Sequence, residues 1–135
     1  MNEQIEFVLG QRLVLLNPML RTHWSARRRQ IKDLAWEVSA LVGPRHRPKA
    51  PWQRVSVLVE RHSTTEPDEE NLMSCVKPLM DVLQPFHQKS RPYGLGIIQN
   101  DNRACVPDLQ VRHVQSKLKQ TRVVITRLGD VPPAA

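Results

Sequence analysis

A chain of 135 residues suits one domain with a real core and is too short for two comfortable ones. With 20 Lys and Arg against 13 Asp and Glu, the net charge of +7 points to an anionic partner, nucleic acid ahead of a membrane surface. The two cysteines lack a CxxC spacing, which argues against a disulfide framework or a zinc knuckle, and no apolar run reaches the ~18 residues of a membrane span or the pattern of a signal peptide, so a soluble protein of a reducing cytoplasm is expected.

Taken in chain order, the apolar runs 5–9 and 12–16 flank Gly10 and Gln11 and read as a hairpin or one long strand. Residues 17–24 form a Pro-containing loop. From 25 to about 41 the pattern becomes helical, with Ile31, Leu34, Ala35, Val38 and Leu41 on one face, and Gly43 and Pro44 stop it. A basic, proline-rich surface loop follows over 43–51. Residues 52–62 alternate, with Val55, Val57 and Val59 on one side, as a half-buried strand does. An acidic helix is expected from about 68 to 83, then a loop over 84–94, a short strand over 95–98, and two last strands over 106–114 and 121–128. Residues 129–135 read as a disordered tail after a single domain spanning 1–128. The fold class is α+β, with a single mixed or antiparallel sheet and two main helices.

Charge is segregated along this chain. Residues 21–49 hold eight basic side chains (Arg21, Arg27, Arg28, Arg29, Lys32, Arg45, Arg47 and Lys49) against Asp33 and Glu37. Residues 60–70 hold five acidic ones (Glu60, Glu66, Asp68, Glu69 and Glu70) against Arg61. On a helix over 68–83, Leu72, Val76, Leu79 and Leu83 share a buried stripe, while Glu70, Ser74, Lys77 and Asp81 share a roughly opposite one. That second face is either a solvated one, with an i, i+4 pair between Lys77 and Asp81, or part of a site. Acidic groups near its start also suit a helix cap. Pro78 inside the helix removes a hydrogen bond at about 3 kcal/mol and marks a kink or a broken first turn. Asp101, after the apolar residues 96–98, is either a turn residue or a ligand carried to the helix end. Asp68, Glu70 and Asp101 together are a hard, all-oxygen set suited to Mg²⁺ or Mn²⁺, and such a cation activates water for phosphodiester hydrolysis.

These residues resemble the RusA-type Holliday junction resolvases of phages and prophages. The resemblance rests on "DEENL" (68–72), "KPLMDVL" (77–83) and "GIIQND" (96–101), in the family's order and spacing, with "LNPMLRTHW" and an Arg-rich helix before them. It covers roughly 12–128 and is specific over 68–101. It implies a RusA-like homodimer acting in the cytoplasm of a bacterial host on branched DNA, with paired metal-dependent nicks across a four-way junction during recombination and repair. Asp68, Glu70 and Asp101 fall on the family's metal-binding and catalytic carboxylates, Lys77 on its catalytic lysine, and Asp81 on a recurring helix position; Asn71 and Asn100 are placed to support them. Arg21, Arg27–Arg29, Arg45, Arg47 and Lys49 would hold phosphate backbones, or the helical arginines would simply be a solvated face. Two residues depart from the family pattern: Glu70 stands where aspartate is usual, and Asn100 replaces the first Asp of a pair.

Other readings fit less of the chain. A nuclease of the PD-(D/E)xK type lacks its follow-up E-x-K or D-x-K on a strand. An RNA-binding module lacks an RNP-like aromatic motif. A junction- or DNA-binding accessory protein without catalysis fits the basic surface and both departures, and is the alternative. The five histidines lack metal-ligand spacing, and Cys75 belongs to the packed side of its helix rather than to a nucleophilic site.

Overall fold

The computed structural model describes residues 3–11, 13 and 24–129, so the tail beyond Gly129 and Arg21 of the basic segment lie outside the described residues, as does most of the expected 12–16 strand. Strand β1 (Gln4–Leu9) is followed by helix α1 (Trp24–Val42), strand β2 (Val55–Ser63), helices α2 (Glu69–Ser74) and α3 (Lys77–Leu83), and strands β3 (Asp108–Gln115) and β4 (Gln120–Arg127). The strands form one mixed sheet in the order β1-β4-β2-β3. β4 runs antiparallel to both β1 and β2, whereas β2 and β3 are parallel, paired from Ser56↔Asp108 to Ser63↔Gln115. Parallel neighbours require a crossover, and that crossover carries α2, α3 and the whole acidic motif.

The period-2 patterns place the core. On β1 and β2 every second residue is buried, bringing Ile5, Phe7 and Leu9 to the same face as Val55, Val57 and Val59, with Val123 and Ile125 of β4 between them. α1 covers this face with Leu34, Ala35, Val38 and Val42. The helix runs one residue past the expected end, so Val42 takes the inward place in its last turn and Leu41 is exposed. The opposite face of the sheet is open and carries Arg122 between Glu6 and Glu60, at 2.6 and 2.8 Å.

Two expectations need correcting. The second helix is two helices, because Pro78 has no N–H to offer the Ser74 carbonyl. α2 ends at Ser74, and the chain restarts with Pro78 in the first turn of α3, where an N–H has no helical partner in any case. Residues 95–98 are not a strand of the sheet. They hydrogen-bond instead along the end of α3, with Leu95 N donating to Val82 O (2.8 Å) and Ile97 N to Leu83 O (2.8 Å), and they touch strand-like geometry only at a bridge from Ile98 to Trp52. Ile97 and Ile98 are apolar because they are core residues, both fully buried, and not because they pair in a ladder.

The same backbone bonds close the neck of the loop over 84–94. Gly94 N donates to Arg91 O and Gly96 N to Gln84 O, at 3.1 and 3.0 Å. A Cβ on Gly94 would lie 2.6 Å from the carbonyl oxygens of both Gln84 and Pro85, backbone atoms that cannot swing aside as a side chain does. Gly94→Ala is therefore expected to lower the unfolding free energy by about 1–3 kcal/mol, the usual range for overpacking a tight site. Urea unfolding followed by tryptophan fluorescence measures this, and an unchanged midpoint would show that the neck is looser than the contacts require.

Candidate functional site

α2 begins on Asp68. The Asp68 carboxylate accepts the backbone N–H of Asn71 on Oδ1 (2.8 Å) and the Asn71 side-chain amide on Oδ2 (3.2 Å), which is N-cap geometry. Glu69 and Glu70 follow in the first turn, where carboxylates complement the helix dipole. Both are exposed.

The break before α3 re-aims the second half of the motif. Six of the residues between 75 and 83 are buried (Cys75, Val76, Leu79, Met80, Val82 and Leu83), so α3 is wrapped by core on most sides. Lys77 and Asp81, one turn apart, form its outward ridge. Lys77 Nζ lies 3.4 Å from Asp81 Oδ1 and 3.3 Å from Asp101 Oδ2. Asp101 is available for this because the preceding residue makes the turn: Asn100 Oδ1 accepts the backbone N–H of Asp101 (2.7 Å) and of Asn102 (3.3 Å). Partial burial alone would lower the Lys77 pKa, but the charges and hydrogen bonds of Asp81 and Asp101 outweigh it and hold the ammonium above the ordinary lysine value of 10.5.

Lys77, Pro78 and Asp81 line a cleft of about 550 Å³ whose other wall is α1, with Arg27, Arg28, Ile31 and Asp33, and whose floor includes Leu13 and Cys75. Leu13 is pinned there from the core. Its N–H donates to Thr121 Oγ1 (3.2 Å), and the buried Arg61 donates from Nε to its carbonyl (2.7 Å). Burial pushes the Cys75 thiol up to about 11, with Arg61 only partly offsetting it, so the thiol stays protonated at neutral pH and serves as packing.

The structure thus brings together Lys77, Asp81 and Asp101, with Arg27 and Arg28 across the cleft. Asp68 and Asn71 are joined to each other, and Asn100 supports Asp101. Arg29, Arg45 and Lys49 are exposed and do not line this cleft, while Arg47 donates to Leu95 O at 2.6 Å and so ties two loops together. Asp33, Arg61, Lys89 and Arg91 were not among the expected residues. Arg61 has a readable signal, a charge at an inward-facing strand position, whereas the others are placed only by tertiary packing.

The donors proposed for a metal are chemically apt, all of them carboxylate oxygens. Among the described residues, however, no group of three or more His, Cys, Asp or Glu side chains is placed to hold an ion. Both Asp68 oxygens accept from Asn71, and the cation between Asp81 and Asp101 is the Lys77 ammonium.

Neither a protein-family model nor a curated protein matches the chain.

The geometry leads to two expected outcomes. Replacing the cap, Asp68→Ala is expected to cost about 1 kcal/mol of stability and Asp68→Asn only a small part of that, since asparagine caps as well as aspartate; thermal unfolding of the two variants compares them directly. Because the Lys77 pKa is raised, its ion pairs persist through neutral pH and are lost only as pH climbs through a value above 10.5. A side-chain NMR titration should find that value lowered toward 10.5 in both Asp81→Asn and Asp101→Asn, and a titration unmoved by either would deny the pairing.

Proposed function

We propose that this protein is a structure-selective endodeoxyribonuclease that nicks four-way DNA junctions in pairs, as a homodimer, with Mg²⁺ or Mn²⁺ as cofactor. One observation carries the reading: a lysine bracketed by two carboxylates faces two arginines across a single cleft, so cationic groups suited to phosphates stand on both of its walls. Arg27 and Arg28 are suited to binding the phosphodiester, since a planar guanidinium matches two phosphate oxygens at once. Lys77 is suited to placing positive charge on the scissile phosphate, where negative charge grows in the transition state. Asp81 and Asp101 hold its ammonium in position from two sides. Asp68, Glu70 and Asp101 are the carboxylates that would hold the cation, whose chemistry when bound would be the activation of water. A two-fold dimer meeting a two-fold junction accounts for paired nicks without a second type of site.

A second reading is favoured by one specific observation. Asp68 is engaged as a helix cap and Lys77 is already paired with both Asp81 and Asp101, which is an arrangement a junction-binding accessory protein without catalysis could keep.

Incubation with a synthetic four-way junction, with Mg²⁺, with Mn²⁺ and with chelator, separates the two. The nuclease reading expects paired, metal-dependent nicks, reduced at least about 100-fold in Lys77→Ala and lost in Asp68→Asn and Asp101→Asn while binding is retained. Because Asp68→Asn keeps the cap, lost nicking in that variant reports chemistry rather than unfolding. Junction binding without nicks under either metal establishes the accessory reading instead.

A further inference from the structure

A second cleft, of about 380 Å³, adjoins the first and shares Arg28, Ile31 and Asp81 with it. Its far wall is the closed loop over 84–94, which contributes Lys89, Ser90 and Arg91. This loop has a built shape. His87 and Arg91 pair backbone to backbone in both directions, at 2.9 and 3.0 Å. The His87 ring accepts the N–H groups of Lys89 (3.2 Å) and Ser90 (3.1 Å) on Nδ1, and Arg91 Nε donates to Pro85 O (3.2 Å). With its neck held at Gly94, it has the closed form of a compact surface loop.

We infer that the two clefts are one groove, and that the loop presents Lys89 and Arg91 as a second hold on the same DNA strand that passes Lys77. The inference rests on the nuclease reading only in taking DNA as the ligand; the groove itself is read from its lining. Cationic groups stand along its whole course, from Arg27 and Lys77 through the shared Arg28 to Lys89 and Arg91, against two carboxylates: Asp33 on the α1 wall of the first cleft, and Asp81, common to both halves and paired with Lys77. Each half lies within the ~300–1,000 Å³ typical of pockets for small groups, which suits nucleotide units of one strand rather than an entire duplex. A hydroxyl beside Lys and Arg, here that of Ser90, is the usual company of a phosphate contact. A preformed loop also binds without the ordering cost that a floppy one incurs.

Lys89 is the residue to test, because it is exposed and its side chain makes none of the bonds that shape the loop. Binding of the wild-type chain, Lys89→Ala and Lys89→Glu to a labelled four-way junction and to a labelled single strand is measured as a function of salt. Removing one phosphate contact is expected to weaken both complexes several-fold and to reduce the slope of log K against log[salt] by about 1, with the charge reversal at least about 10-fold weaker than wild type. Arg112→Ala removes the same charge from the sheet face opposite the helices and is expected to leave both unchanged, since Arg112 pairs in register with Glu60 of the open face. Wild-type binding that Lys89→Glu does not weaken overturns the second hold and leaves the nuclease reading standing. An equal loss in Arg112→Ala overturns it too, since the effect would then be one of net charge. A wild-type chain that binds neither DNA overturns both.

Discussion

A missing backbone donor organises this molecule. Pro78 cannot return a hydrogen bond to Ser74, so a segment whose apolar residues would otherwise form one amphipathic helix becomes two short helices with a turn at Cys75 and Val76. The break lets α3 turn into the core, burying Leu79, Met80, Val82 and Leu83, with Cys75 and Val76 buried at the turn itself. Only Lys77 and Asp81 remain as an outward ridge. Their position over the cleft beside α1, and hence every electrostatic feature of the candidate site, depends on that bend.

The second constraint is the placement of Asp101 opposite that ridge. Trp52 and residues 95–99 are tied to each other and to the end of α3 by backbone bonds, and Ile97 and Ile98 are sunk in the core. The chain therefore leaves the core at a fixed point, and Asn100 turns it at once through its own side chain. The asparagine that departs from the acidic pair of the resembled family has a role in this geometry: it satisfies two backbone N–H groups without adding a third negative charge beside Asp81 and Asp101. With two carboxylates and one ammonium the cluster keeps an excess of one negative charge, and the exposed Lys77 holds its charge well into alkaline pH.

Much of this was legible in the linear pattern, for reasons that are local. The alternation of Val55, Val57 and Val59, the helical spacing of Leu34, Ala35 and Val38, the i, i+4 relation of Lys77 and Asp81, and the conflict between Pro78 and a continuous helix are all properties of a few neighbouring residues. Asp68 as a cap belongs with them, because the cap bond reaches only to Asn71. The apolar residues 95–98 misled because burial and strand pairing leave the same short signature, and only the presence or absence of a neighbouring strand tells them apart. Arg47, grouped with the phosphate-binding residues by charge alone, in fact donates to the Leu95 carbonyl, a partner no local pattern reveals.

The sequence by itself determined the α+β class, the positions of β1 to β4 and of the long helix, the conflict between Pro78 and a continuous helix, and the residue types of the site, since each comes from periodicity, capping or a missing donor within one turn or strand. Tertiary structure alone decided the mixed strand order, the meeting of Asp101 with Lys77, the pairing of Arg27 and Arg28 with that cluster across one cleft, and the extension of that cleft to the loop at Lys89 and Arg91. The physical reason is that these contacts join residues far apart along the chain, so they are set by how helices and sheet bury their apolar faces together, and the charged side chains are carried to wherever that burial leaves them.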